Sequence, residues 1–403
     1  MRYLTRSRII GCGMTRPATK TGLLATDLMN QALQSALASA GVRLRQLDGL
    51  VAVPSLSEPH FMEAHYLATR VALLPSKGVV VRTIDTGGAG PITGLLEADR
   101  MIRSEGLDLV AVVAGDAVSS LPSDVFLERA DAGCRNPDGS SKSPVIPHGY
   151  DRIAQWQIST GSVTRPQLAM ASVLMSRQAA RHPLALTRKG LTLQQVLDAQ
   201  PVGEVTGLLE CARRADGGAA IIVASSRFMK ENGIPMTKGP VVLSGGEASG
   251  PLYPPSVIDE EMFSCEEAVQ RAFEASQLGI SDIDFFGLYD CFPICFVRAV
   301  EAVGLAPKGG GGAYVEEMYR LSEAGGGKPL PPDVFPVNTH GGLLSFGAPW
   351  ETPAMYNIIE AVEQLNGTAN DRQVKGAKRA LVYGNGGIFS ASSVCILGKG
   401  TYS

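Results

Sequence analysis

The chain is short of charge. Across 403 residues it carries 36 basic and 39 acidic groups, 19% charged residues and a net charge of −3. Such a balance gives no field to steer nucleic acid or an anionic membrane, so polyanionic partners are excluded. It also has no C-x-x-C pair. The seven cysteines (Cys12, Cys134, Cys211, Cys265, Cys291, Cys295, Cys395) are scattered and odd in number, which argues against a disulfide framework or a zinc site and for a reducing compartment. No apolar run approaches the ~20 residues of a membrane span, so no membrane insertion is expected. Histidine is scarce, with five in all. The terminal Lys399-Gly400-Thr401-Tyr402-Ser403 is not a peroxisomal address.

Glycine is abundant at 46 residues, well above the usual ~7%. It clusters at Gly87-Gly88, Gly217-Gly218, Gly245-Gly246, Gly309 to Gly312, Gly341-Gly342 and Gly386-Gly387, implying many tight backbone turns. The length suits two or three domains sharing a continuous core. The first 20 residues carry Arg2, Arg6, Arg8, Arg16 and Lys20 with no acid before Asp27. That bias is expected of a mitochondrial address, the alternative being a merely basic first strand in a cytoplasmic protein.

The chain contains itself twice. Residues 25–53 read as an Ala-rich amphipathic helix, a short turn and the apolar strand Leu50-Val51-Ala52-Val53, and residues 265–288 repeat that order. Aligning Ala32-Leu33-Gln34 with Ala268-Val269-Gln270 brings Asp48 opposite Asp284 without a gap, each just ahead of its strand. Duplication accounts for this and predicts two α/β halves. Further strand and helix signals alternate in both halves, as expected of buried sheets covered by helices. The stretch 118–202 breaks the rhythm with Pro, Ser and Arg and reads as an inserted lobe. The expected organisation is residues 1–117 plus 203–239 as the first half, 118–202 as the insertion and 240–403 as the second half.

Tyr289-Asp290-Cys291-Phe292 ends the apolar run Phe285-Phe286-Gly287-Leu288 and opens a helix-like stretch, which places Cys291 at the end of a buried strand where α/β enzymes keep reactive groups. Asn338-Thr339-His340-Gly341-Gly342 follows. Together these motifs resemble the active-site loops of thiolases of the sterol-carrier-protein type, which read His-Asp-Cys-Phe and Asn-x-x-Gly-Gly. The leading Tyr matches the thiolase-like branch of trypanosomatid protists. Asp216-Gly217-Gly218-Ala219-Ala220 resembles the Asp-Gly-Ala-Ala-Ala segment closing the first thiolase half, so the resemblance spans nearly the whole chain. It implies an α/β thiolase fold of five layers, α-β-α-β-α, usually dimeric, with residues 118–202 as a loop domain that helps bind coenzyme A. It implies no cofactor beyond coenzyme A thioesters as substrate or ligand.

The resemblance also shows what has changed. Asp85 stands where a thiolase has its nucleophilic Cys. A carboxylate would give a labile anhydride rather than a thioester, so the ping-pong route is in doubt. The ordinary role of Asp85 or Thr86 is a helix N-cap. Cys291 matches the acid/base Cys of the related thiolases, a role open to a thiol at a helix N-terminus, whereas Cys295 reads as core. The loop that should read Gly-His-Pro is Gly347-Ala348-Pro349, leaving His340 as the candidate donor to a thioester oxygen, with Asn338 or Tyr289 sharing the role. The last loop, Tyr383-Gly384-Asn385-Gly386-Gly387, lacks the thiolase Cys. Its Gly384 and Gly386, with Thr86, are candidate backbone oxyanion donors, and Tyr383 is a possible phenolic acid or a packing residue.

A coenzyme A site with enolate-stabilising donors and no acyl acceptor points to chemistry through an acyl-CoA enolate. Decarboxylation of malonyl-CoA or a related β-carboxy thioester is the leading expectation. The alternatives are retro-aldol cleavage of a β-hydroxyacyl-CoA, non-catalytic acyl-CoA binding, and acetoacetyl-CoA thiolysis with Cys291 recruited as nucleophile.

Overall fold

The computed structural model describes residues 6–139 and 141–400. The first half begins with β1 (Ser7–Met14), α1 (Ala25–Ala40), β2 (Gly49–Ala52), α2 (Glu63–Arg70), β3 (Val80–Thr83), α3 (Gly90–Glu105) and β4 (Leu109–Ala117). Four helices then intervene, α4 (Ser123–Cys134), α5 (Val145–Ser159), α6 (Arg165–Ala179) and α7 (Leu193–Leu197), before β5 (Asp216–Ser225) and α8 (Ser226–Glu231). The second half runs β6 (Val241–Ser249), α9 (Cys265–Ser276), β7 (Phe285–Leu288), α10 (Pro293–Ala302), α11 (Gly311–Ala324), α12 (Gly342–Phe346), α13 (Pro353–Asn366), β8 (Arg379–Gly386) and β9 (Ala391–Gly398).

Strand order is β3-β2-β4-β5-β1 continuing into β6-β9-β8-β7. In the first set β5 is antiparallel to both β4 and β1, and β2 is parallel to β4 and β3. In the second, β9 is antiparallel to β6 and β8, and β7 is parallel to β8. The sets meet through the Arg8–Val241 pair. A single parallel bridge from Phe286 to Val337 stands where the second half lacks a counterpart of β3.

The layers follow from which helices are apolar all round. In α1 the buried positions Leu28, Met29, Ala32, Leu33, Ala36 and Leu37 make one stripe, as expected of a helix covering a sheet from outside. Helices α3 and α13 are buried on nearly every side. They pack against each other and against strands of both sets, α3 on β2, β4, β8 and β9 and α13 on β1, β5, β7 and β8. With α1 outside the first set and α9 outside the second, the order is α-β-α-β-α, the thiolase fold.

The repeat is visible atom by atom. Asp48 Oδ2 accepts the main-chain N–H groups of Asp108 and Leu109 at the start of β4 (2.8 and 3.2 Å). Its counterpart Asp284 accepts those of Lys378 and Arg379 at the start of β8 (2.8 and 2.9 Å). Each outer helix also lies directly on a strand glycine. A Cβ on Gly13 would come within 2.4 Å of Ala32 O and 2.3 Å of Ala36 N, and one on Gly246 within 2.0 Å of Ala268 O and 2.7 Å of Ala272 N. The same gapless alignment pairs Ala32 with Ala268 and Ala36 with Ala272.

At the N-terminus Arg2 lies outside the described residues. Arg8 is buried in β1, with its guanidinium donating to Gly400 O at 3.0 Å. Thr401 to Ser403 also lie outside the described residues. No described helix is long and apolar enough to cross a membrane.

Because backbone atoms block the added methyl, Gly13→Ala and Gly246→Ala are each expected to destabilise the protein by roughly 2–3 kcal/mol or more. In α4 a Cβ on Gly133 meets nothing, so Gly133→Ala should be neutral or slightly stabilising. Denaturant unfolding of the three variants checks this.

Candidate active site

The Tyr289-Asp290-Cys291-Phe292 loop leaves β7 and enters α10 at Pro293. Asn338 fixes its start. The side chain accepts from Leu288 N through Oδ1 and donates to Leu288 O through Nδ2, both at 2.7 Å. Asn338 adopts a positive φ of 45° to do so, which Asn tolerates better than most residues. Its amide thus braces the main chain of Leu288 through its oxygen and one of its two N–H groups. Asp290 braces the other side. Its Oδ1 accepts from Leu343 N at 2.7 Å at the start of α12. Burial pushes its carboxyl up to about 7, against the backbone bonds that lower it.

The β3-to-α3 loop packs directly on this one. A Cβ on Gly88 would lie 2.0 Å from Tyr289 Oη and 2.5 Å from Asn385 O, so glycine is required for the two loops to touch. Asp85 is exposed just beyond β3. Neither Asp85 nor Thr86 caps α3, contrary to the ordinary role of such residues. The helix starts at Gly90 with Pro91 at its first positions and Ala89 as N-cap. Thr86 instead hydrogen-bonds its hydroxyl to Thr93 Oγ1 at 3.0 Å, and Thr93 reaches Ser393 Oγ of β9 at 2.7 Å. The polar side chains at this turn thus tie the two sheets together across the central layer.

Cys291 is half-buried, with its Sγ 3.4 Å from Cys295 Sγ. Around the two thiols the inserted helices contribute Tyr150, which the sequence did not single out. Its hydroxyl donates to Gly387 O at 2.6 Å and accepts from Asn385 Nδ2 at 2.7 Å, and its ring stacks on Phe292 at 4.6 Å. Burial, then the nearby Cys291 and Cys295, hold the Tyr150 phenol well above its usual range. Tyr289 is likewise kept neutral, by burial first and Cys291 next. Asn385 Oδ1, in a side chain 1% exposed, has no partner.

Other sequence candidates fall elsewhere. Gly384 and Gly386 are not in an open loop but within β8, paired with Ser393 and Ala391, and Gly386 faces Thr86 O rather than its N–H. Tyr383 is buried in the same strand near Cys265, which favours its packing role. His340 is 2% exposed, its Nδ1 is buried without a partner and its ring lies edge-on to Phe346 at 5.2 Å. Burial, aided by the charge of Arg372, lowers it to about 3 and keeps it neutral. No hydrogen bond among the described residues joins it to Tyr289, Cys291 or Asp85. It borders a buried network in which Glu360 accepts from Thr339 Oγ1 at 2.6 Å and from Arg372 Nε at 3.0 Å. His182, Glu360 and Glu363 there have metal-ligand spacing, but Arg372 bonds both glutamates and supplies the positive charge itself.

A second residue that sequence reasoning missed, after Tyr150, is Glu351. The Gly347-Ala348-Pro349 loop docks on the segment before β5, through Ala348 N to Arg213 O at 2.9 Å and Ala215 N to Ala348 O at 3.2 Å. Trp350 then turns at φ 48° and delivers Glu351 with a fully enclosed Oε2 that has no partner. Burial, then the charges of Asp85 and Asp116, keep its carboxyl protonated well above the usual range. The only signal in sequence was an acid two residues past Gly-Ala-Pro.

A family model described as thiolase C-terminal domain-like matches residues 257–399. The acetyl-CoA acetyltransferase of Methanothermobacter thermautotrophicus is 28% identical, the alignment covering 97% of this chain and 99% of that protein. Rabbit (Oryctolagus cuniculus) sterol carrier protein 2 is 26% identical over 98% of this chain and 72% of its own length. Among solved structures, one titled Ltp2-ChsH2(DUF35) aldolase superposes with a TM-score of 0.80 at 21% identity, covering 99% of both chains. Fold and site together define an α/β protein of the thiolase superfamily. Within it, the sequence is similar to thiolases of the sterol-carrier-protein type.

A pH test follows from Asp290. Its folded-state pKa of about 7 lies above the unfolded value, so the folded state holds the proton longer and this group's stabilising contribution is lost as pH rises from about 4 to 7. Asp290→Asn keeps an oxygen for Leu343 N and removes the ionisation. Relative to the parent it should gain on the order of 3 kcal/mol between pH 5 and pH 8, read from unfolding at both pH values.

Proposed function

We propose that this thiolase-superfamily acyl-CoA protein is an enzyme that works through a coenzyme A thioester enolate without an acyl-enzyme intermediate. The observation that carries this reading is Asp85. The loops that surround a thiolase nucleophile converge here, with Gly88 against Tyr289, yet a carboxylate occupies the nucleophile's place. The neutral phenol of Tyr289 supplies a donor for a thioester oxygen as it becomes an enolate, a contribution of about 3 kcal/mol for one well-placed donor. Cys291, the half-exposed thiol of the loop, exchanges a proton with the α-carbon.

Two reactions reach that enolate without a nucleophile. Decarboxylation of malonyl-CoA brings a substrate carboxylate into a site whose charges, from Asp85 and Asp116, are negative, with no cation among the groups acting on Glu351. Retro-aldol cleavage of a β-hydroxyacyl-CoA brings a neutral group and needs a base for its hydroxyl proton. The charge pattern favours the second, and the aldolase named above shares the fold. Thiolysis, suggested by the name of the archaeal relative, would need an acyl group on Cys291.

A homodimer is proposed on the edge strand β3, where Val80, Val81 and Arg82 are only half-buried, an edge open to pairing with a second copy. Light scattering of the parent and of Val81→Pro decides it: a monomer in both removes the proposal.

The purified protein is to be given a β-hydroxyacyl-CoA, malonyl-CoA and acetoacetyl-CoA with coenzyme A, with products followed by mass spectrometry and binding by calorimetry. An aldehyde or ketone plus acyl-CoA is expected, reduced about 100-fold or more in Cys291→Ala with binding retained. An acyl adduct on Cys291 would reassign the protein to thiolysis. Acetyl-CoA from malonyl-CoA alone would restore decarboxylation, and binding without any product would leave an acyl-CoA-binding protein.

A further inference from the structure

Cys291 and Cys295 stand four residues apart at the entry to α10, with their sulfurs 3.4 Å from each other. Cys295 N donates to Phe292 O at 3.0 Å, and Ala212 N, from the segment before β5, donates to Cys291 O at 2.9 Å. Both backbones are therefore held. The thiols differ in exposure: Cys291 is half-buried, whereas Cys295 is 0% exposed.

A chain of hydrogen bonds fixes which sulfur donates. Tyr150 Oη gives its proton to Gly387 O at 2.6 Å, so toward Asn385 Nδ2, at 2.7 Å, it can only accept. That sets the orientation of the amide, whose nitrogen also reaches Cys295 Sγ at 3.9 Å. The Cys295 sulfur accepts on that side, which leaves its S–H to turn to Cys291 on the other. The titratable groups facing Cys291 are Cys295, Cys211 before β5, Tyr150 of α5 and Tyr289 of its own loop. Burial keeps all four neutral, pushing Cys211 up to about 12 and the others well above their usual ranges. What they offer Cys291 is a hydrogen bond rather than a counter-charge.

We propose that Cys295 is a positioning residue that readies Cys291 for proton transfer by donating its S–H to the Cys291 sulfur. The proposal rests on the acid/base role of Cys291 proposed above and names the group that supports it. When Cys291 gives its proton to the α-carbon, its S–H bond breaks, the enolate electron pair forms the new C–H bond, and the charge passes to the Cys291 sulfur. Cys295 keeps its own proton, because its enclosed sulfur is the costlier of the two to charge. Its S–H then points at a thiolate, and a hydrogen bond to a charged acceptor is stronger than one between neutral groups. Cys291 afterwards recovers a proton from solvent.

The experiment uses the full-length protein with Cys295→Ala and Cys295→Ser. It follows iodoacetamide labelling of Cys291 against pH by mass spectrometry, which separates this thiol from the other cysteines. In Cys295→Ala the midpoint of the profile should move up by about one pH unit, so that labelling below it is about tenfold slower. Cys295→Ser keeps a donor and should stay close to the parent. A packing role alone would change the plateau rate at high pH and leave the midpoint in place. Exchange of the α-hydrogens of acetyl-CoA in D2O should also slow about tenfold in Cys295→Ala, with acetyl-CoA binding by calorimetry within about threefold of the parent. A Cys295→Ala midpoint within about 0.3 units of the parent, a Cys295→Ser profile that follows Cys295→Ala, or undiminished exchange beside an active parent each overturns the proposal. A parent that neither exchanges nor cleaves a β-hydroxyacyl-CoA overturns the enolate reading instead, while the labelling profile still decides the pairing of the thiols. Should Cys295→Ala fail to fold, Cys295→Val, closer in volume to the parent side chain, is read in its place.

Discussion

Everything in the site depends on two helices that must be buried on all sides. Helices α3 and α13 fill the one layer shared by both sheets, and a helix with no polar face can only sit there. Sharing one layer forces their N-terminal ends together. The loop that leads into α3, residues 84–89, therefore meets α13 and the β7 and β8 strand ends. That geometry, rather than any single side chain, brings Gly88, Tyr289 and Asn385 into one place from residues far apart in the chain. The Thr86–Thr93–Ser393 hydrogen bonds run through the same layer and make the turn after β3 part of the bond between the halves.

The second theme is acid without a counter-ion. Asp290, Glu351 and Asp116 are buried with raised affinities for protons, whereas Glu360 is matched by Arg372. Matching a buried carboxylate with a cation fixes structure, and leaving one without a counter-ion raises its affinity for the proton. The molecule uses the first device in its α13 network and the second around the loops. This division also explains why the metal-like trio of His182, Glu360 and Glu363 is filled by a guanidinium, while the polar atoms near Glu351 remain without partners.

Much of the fold was legible because duplication leaves a periodic trace. Asp48 and Asp284, aligned from sequence, make the same pair of backbone bonds, and the alanines beside them meet equivalent glycines. The Tyr289 loop was legible because a strand end followed by a helix is a local pattern. Tyr150 was not, since it reaches the thiols from the inserted helices and nothing near it in sequence marks it. Glu351 was hidden for the same reason, since only the fold encloses its Oε2 without a partner. The capping role expected of Asp85 and Thr86 failed because the helix begins later, at Gly90, once Pro91 fixes its first turn.

Sequence alone determined the class of fold and the internal repeat, because these are properties of pattern along the chain. Tertiary structure decided which candidates face the reacting space. It spent Asn338 on the backbone of Leu288, sank Tyr383 and Gly384 into a strand, and set His340 beside Phe346 and Arg372. It also enclosed one carboxyl oxygen of Glu351 without a partner. Burial and proximity depend on contacts between segments hundreds of residues apart, and those contacts set both the proton affinity of a group and whether its hydrogen bonds are already taken.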